Sequence, residues 1–214
     1  GVFLFSDPSA SNALLKGEPR LLTGKERILE HFMDTKYFIG PRDFFQLNPQ
    51  AASHVFSIAL KFAGGGRRCF EGFSGIGALT FPLSRIFEYV IAMEANEESV
   101  AGLRRRVHQS DKGETIHVHH GKVELDFDSS FWAEGLDCAI FNPPRRGLGE
   151  QLTRTLLGSP ISDLVIVACG PEGLAKDLEM LCSGGYHVKS IVGVDQFPRT
   201  SHVETIVHLQ RDLS

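Results

Sequence analysis

From Arg67 onward, short apolar runs alternate with stretches whose apolar residues recur every three or four positions. That alternation predicts an α/β fold: buried strands in a parallel sheet, joined by crossover helices that cover its faces. Strands are expected near Cys69–Gly72, Tyr89–Glu94, Thr115–His120, Asp137–Phe141, Leu164–Ala168, His187–Val194 and Val203–Gln210. Helices are expected near Ala78–Ile86, Glu97–His108, Gly149–Leu157 and Glu172–Cys182. Only the loop "DQFPRTS" separates the last two strands, so α/β units closed by a strand pair give a seven-stranded, mostly parallel sheet.

Ahead of this pattern, "NPQAASHVFSIALKFA" reads as one more helix, with Asn48 as its cap and Pro49 at its first position. Residues 1–47 are less regular and suggest short strands and turns around "SDPSASN" and "LKGEPRLLTGK". They do not read as a complete domain. The expected organisation is therefore a short irregular segment, 1–47, left from an N-terminal or central region, followed by a principal domain, 48–214.

Charge narrows the classes of partner. With 26 acidic against 22 basic residues, the net charge of −4 gives no strongly basic nucleic-acid footprint. Local clusters exist at Arg67-Arg68, Arg104-Arg105-Arg106 and Arg145-Arg146, so any such contact would be local. The four cysteines form no CxxC pair, which favours free thiols in a reducing compartment. No run approaches the roughly 18 apolar residues of a membrane span, and the expected location is cytoplasmic.

The turn between the first strand and first helix of the alternating region is Gly72-Phe73-Ser74-Gly75-Ile76-Gly77. Glycines there allow a tight bend and let a ligand approach the backbone, in the strand-end crevice where open α/β sheets bind nucleotides. The second strand ends in Glu94, at an offset that suits ribose hydroxyls. A dinucleotide such as NAD fits these features too, and a purely structural turn would look the same. The fourth strand ends in "AIFNPPRRG", whose prolines stiffen a loop on the same edge because each fixes φ. Hydride transfer has no particular use for such a loop, and this weighs against NAD.

The fifth strand stops at Cys169, with Gly170-Pro171 opening a helix behind it. At the positive end of that helix the thiolate should be favoured. Cys69, Cys138 and Cys182 lie within strand or helix patterns and read as small buried hydrophobes. In "HVHH", His117 and His119 share a strand face, but no further ligands stand at a recognisable spacing, so surface histidines and no metal are expected.

Taken in order, "FFQLNPQ", "EGFSGIGALTFPL", "NPPRRG", "VACGPEGLAKDL" and "DQFPRTSHVETIVHL" resemble the S-adenosylmethionine-dependent RNA (uracil-5-)-methyltransferase family, which makes 5-methyluridine in tRNA and ribosomal RNA. The resemblance runs over essentially all 214 residues, and "FFQLNPQ" with "QFPRTSHVE" is its most specific part. Asn142 replaces the family's usual Asp, and Ala168-Cys169-Gly170 replaces Ser-Cys-Asn. The family's common RNA-binding domain, and the iron–sulfur cysteine cluster of some members, are not among these motifs.

The resemblance implies a Rossmann-like class I methyltransferase fold, with 48–214 as the catalytic domain. It implies S-adenosylmethionine as cofactor, held by Gln46, Phe73, Gly75, Gly77, Ala78, Glu94 and Asn142. It implies an RNA partner with a loop or single-stranded uridine, contacted by Gln46, Asn142 and Arg145. Cys169 would add to uracil C6 and Glu204 would act as the base, with His202 available to orient it. A monomer without membrane or iron–sulfur partners is expected. Two alternatives stay open: an amino-group methyltransferase that uses the Asn-Pro-Pro loop, and a cofactor- or RNA-binding protein that does not catalyse.

Overall fold

The computed structural model describes residues 1–6, 17–200 and 202–212, which group into two compact units, Gly1–Phe45 and Gln46–Ser214. Most of "SDPSASN" lies outside the described residues.

In the first unit, β1 (Val2–Leu4) pairs antiparallel with β2 (Arg20–Thr23), and β3 (Ile28–Phe32) pairs antiparallel with β4 (Thr35–Ile39). Met33 and Asp34 join the second pair with φ of 46° and 60°, the left-handed backbone that a two-residue hairpin turn requires. Tyr37 is fully buried, and Phe45 packs against it and Phe32 at ring separations of 5.6 and 5.5 Å.

The second unit begins with α1 (Pro49–Ala63), where the Asn48 side chain accepts the Ala51 N–H at 3.2 Å. Its buried stripe, Ala52, Val55, Phe56, Ala59 and Ala63, has helical spacing and faces the sheet. There follow β5 (Gly66–Gly72), α2 (Thr80–Leu83), β6 (Phe87–Glu94), α3 (Glu97–His108), β7 (Ile116–His120), α4 (Val123–Asp126) and α5 (Ser129–Trp132). The chain continues through β8 (Cys138–Phe141), α6 (Glu150–Gly158), β9 (Asp163–Ala168), α7 (Pro171–Ser183), β10 (His187–Val194) and β11 (Glu204–Gln210).

These strands form one seven-stranded sheet in the order β10-β11-β9-β8-β5-β6-β7. All neighbours are parallel except β11, which is antiparallel to β9 and β10. The chain moves outward from β5 through β6 and β7, then returns to β8 on the other side. This reversal opens a crevice at the carboxyl ends of β5 and β8. Phe70, Ile91, Met93, Ala139 and Phe141 from the sheet share a core with Leu152 and Leu156 of α6 and Leu174 and Leu181 of α7.

Three local expectations needed correction. The helix expected over Ala78–Ile86 is α-helical only at Thr80–Leu83. Pro82 supplies no N–H, and the chain tightens behind it into three-residue bonds, Arg85 N–H to Pro82 O and Ile86 N–H to Leu83 O. The one-turn helices α4 and α5 were not anticipated, being too short for a period to show. Cys182 is exposed rather than buried, because the inward positions of α7 are Gly173, Leu174, Asp177 and Leu181. Cys69 and Cys138 are buried as expected.

Candidate active site

Reading the sheet across its crevice edge, Glu204, Cys169, Asn142, the glycine turn and Glu94 follow one another at the ends of β11, β9, β8, β5 and β6. Strands lie about 4.8 Å apart, so Glu94 and Cys169, three strands from each other, are roughly 14 Å apart along the edge.

At the Glu94 end, both carboxylate oxygens accept backbone N–H groups, from Gly75 at 2.8 Å and Asn96 at 2.7 Å. Each retains a lone pair for a further donor. The turn between carries left-handed backbone at Phe73, Gly75 and Gly77, with φ of 61°, 55° and 86°. A side chain at Gly77 would collide with Leu103 of α3, whereas the space around Gly75 is open. Ala78 is half-buried beside them. Ser74 Oγ is buried and has no hydrogen-bond partner among the described residues, an orphaned polar atom in the wall of the crevice.

Behind the turn, Glu71 is buried, accepts the Thr80 hydroxyl at 2.5 Å, and is pushed up to about 8 by burial, with the Glu94 charge adding to the shift. Its carboxyl is therefore protonated near neutral pH. Asn142, half-buried, donates its N–H to Gly72 O at 3.3 Å, tying the end of β8 to the start of the turn.

The Asn-Pro-Pro-Arg-Arg-Gly loop lies against the start of α7 so closely that a side chain at Gly170 would strike the Arg145 carbonyl, and one at Gly173 the backbone of Arg146 and Gly147. Asp177, on the buried stripe of α7, accepts the N–H groups of Leu148 at 2.7 Å and Gly149 at 3.3 Å and holds the far end of that loop. Burial raises its pKa, partly offset by these two donors. Sequence reading missed this anchor, although a carboxylate in register with the apolar positions of a helix was its signal.

Cys169, half-buried, stands just before α7, whose cap is Gly170. The ladder pairs Thr205 with Ala168, so the next step sets Glu204 opposite Cys169. The expectation of a favoured thiolate is not met. Burial is the largest influence and raises the thiol pKa, the Glu204 charge raises it further, and Arg145, by charge and hydrogen bond, lowers it only in part. Arg145 itself is exposed, with its guanidinium beside the sulfur. Glu204 is 8 % exposed, and burial holds its carboxyl above the ordinary range. His202 lies outside β11 and sits edge-on to Phe197 at 6.4 Å, not on the strand face shared with Glu204.

Gln46 belongs to the same edge through a residue that sequence reading passed over. Gln196, 1 % exposed in the loop before β11, donates from Nε2 to Gln46 Oε1 at 2.6 Å, and its carbonyl accepts from Asn48 Nδ2 at 3.0 Å. The two most specific motifs of the sequence are thus joined by hydrogen bonds. Among the described residues no three His, Cys, Asp or Glu side chains gather as a metal site.

A seven-stranded sheet with this order, a glycine turn at its reversal point and an acidic end to the next strand define the Rossmann-like methyltransferase fold. Residues 132–212 match the family model described as tRNA (Uracil-5-)-methyltransferase. The structure of Pyrococcus abyssi tRNA (uracil-54, C5)-methyltransferase in complex with S-adenosyl-L-homocysteine superposes with a TM-score of 0.79 at 30 % identity, covering 97 % of this chain and 50 % of that one. An uncharacterized RNA methyltransferase of Enterococcus faecalis is 31 % identical over 96 % of this chain and 45 % of its own length. Another, from Halalkalibacterium halodurans, is 29 % identical over 95 % and 45 %. The family resemblance read from the motifs is borne out: the chain is related to the RNA (uracil-5-)-methyltransferases, and it spans a little under half the length of these curated relatives.

Proposed function

We propose that this chain carries the catalytic domain of an S-adenosylmethionine-dependent RNA (uracil-5-)-methyltransferase. The observation that carries the reading is the placement of a half-buried cysteine, a buried glutamate and an arginine at the crevice end of three neighbouring segments. The glycine turn fits the cofactor: Ser74 Oγ lacks a partner among the described residues, Gly75 leaves open space, and Glu94 keeps acceptor capacity for ribose hydroxyls. Phe73, Gly77, Ala78, Gln46 and Asn142 complete that wall. When bound, the cofactor supplies a methyl group made electrophilic by a sulfonium.

Uracil C5 is a poor nucleophile, and Cys169 overcomes this by covalent catalysis. Its thiolate sulfur bonds to C6, and the C5–C6 π pair moves onto C5 and O4 as an enolate. Arg145 opposes the cost of forming the thiolate beside Glu204. Once C5 has gained its methyl, the Glu204 carboxylate takes the C5 proton. The C5–H electron pair re-forms the double bond, and the C6–S bond breaks to return the thiolate. A carboxylate held above its ordinary pKa is the stronger base for this step.

The target base must leave its stack, at a cost of a few kcal/mol that is least in a loop. Gln46 and Asn142 offer amides suited to a pyrimidine edge. Incubation with methyl-labelled S-adenosylmethionine and a total RNA pool, followed by nucleoside analysis, tests the reading. Label in 5-methyluridine is expected; label only in N-methylated nucleosides would support an amino-group methyltransferase, and cofactor binding without product a non-catalytic protein.

A further inference from the structure

We propose that the outer corner of the sheet, on the free strand β7 and the amino-terminal ends of β5 and β6, docks the RNA strand that flanks the target nucleotide. The proposal rests on RNA being the substrate. A sheet of this kind is normally covered on both faces. Here the face that carries Phe70 and Ile91 is covered at its outer corner by Phe127 and the four-residue α5, and a hollow of about 680 Å3 remains beside them. A second hollow of about 390 Å3 shares His117 and His119 with it, so the pair wraps the unpaired edge of β7.

In a chain of net charge −4, the cations of the lining are Arg67 and Arg68 in the first hollow and Arg104 in the second. His108 lines the second and His117 and His119 line both, with burial and then the His117 and Arg104 charges lowering the His119 pKa. Glu134 is the one carboxylate among the described lining residues, and it is paired with Arg68. Nearby Asp137 is engaged by the backbone N–H groups of Arg67 and Arg68 at 2.6 and 2.9 Å. The Nε of Arg68 is buried without a partner among the described residues. Tyr89 is 39 % exposed, with its ring stacked 6.5 Å from that of His117. Phosphate-seeking cations interleaved with exposed rings are what a single RNA strand requires, and an apolar protein partner would find little to bury against.

The reach also fits. Arg68 lies four residues from Gly72 along β5, about 13 Å at a strand's rise. Cys169, at the end of β9, lies two strands to the side of β5, so roughly 16 Å separates it from Arg68, a span of a few nucleotides.

Fluorescence anisotropy with fluorescein-labelled single-stranded RNA tests this on the whole chain, with thermal melting to monitor folding. The double variant Arg67→Ala, Arg104→Ala should bind about tenfold more weakly, and the slope of log affinity against log salt should fall by roughly 1.4 for two lost phosphate contacts. Tyr89→Ala should weaken binding with the slope unchanged. Arg105→Ala, on an exposed position of α3 outside both hollows, should behave as wild type. Affinity within twofold of wild type for both the double variant and Tyr89→Ala, or an equal loss in Arg105→Ala, overturns the proposal. Wild-type chain that binds RNA through this corner but transfers no methyl would defeat the catalytic reading alone. Methyl transfer with an unchanged KM in the double variant would defeat this proposal alone.

Discussion

Glu204, the first residue of β11, faces Cys169 across one step of an antiparallel ladder, and its charge makes the thiol harder to ionise. For covalent catalysis this is a conflict, since the nucleophile must be charged beside a base that must also be charged. Arg145 on the neighbouring loop reduces the conflict without removing it.

Removing that arginine should therefore move the pH profile. Thiolate accumulates only as pH rises toward the raised thiol pKa, so activity should climb through the neutral range and beyond. Arg145→Ala should shift the climb to higher pH, and Arg145→Lys should restore part of it. Iodoacetamide labelling of the half-buried Cys169 against pH checks this without requiring substrate, provided the exposed thiol, Cys182, is replaced.

Glu204→Gln should keep the addition step and lose the proton abstraction. Turnover should fall by about 10²-fold or more. A methylated, cysteine-linked RNA should then persist on a denaturing gel with ordinary uridine substrate. In wild type, the acid limb set by Glu204 should lie above the ordinary carboxylate value near 4.5, because burial raises its folded pKa.

Glu71 makes a separate stability prediction. Its folded pKa of about 8 exceeds the ordinary value of 4.5, so the folded chain holds an extra proton between these limits. Its contribution is fully present below about pH 4.5 and is lost as pH rises through 8. One proton corresponds to at most about 1.4 kcal/mol per pH unit. Glu71→Gln should flatten the dependence of the urea midpoint on pH in this window while keeping an acceptor for Thr80.

Asp177→Ala should cost about 2 kcal/mol or more, since it leaves two backbone N–H groups unmet. It should also raise the KM for RNA by loosening the loop that carries Asn142 and Arg145. Urea denaturation alongside initial rates separates the two effects.

Much of the fold was legible because parallel strands buried on both faces leave uninterrupted apolar runs, and α3 and α7 keep a clear 3.6-residue period. The position of Cys169 at a strand end followed from those runs alone, whereas the reversal at β5 is a matter of strand order that the runs do not carry. What escaped depended on tertiary contact. The raised thiol pKa arises from burial and from Glu204, 35 positions away in sequence but adjacent in the ladder. Gln196 is 150 residues from its partner Gln46. Pro82 has no N–H to continue the helix expected over Ala78–Ile86, and α4 and α5 are shorter than any period can reveal.

The proposed bond between Cys169 and uracil C6 is most directly tested with RNA containing 5-fluorouridine and S-adenosylmethionine. Fluorine at C5 cannot leave as a proton, so wild-type chain should accumulate a denaturation-resistant RNA adduct whose cross-linked peptide contains Cys169, and Cys169→Ala should form none. Methyl transfer by Cys169→Ala at the wild-type rate, or an adduct mapped to another residue, would contradict the account.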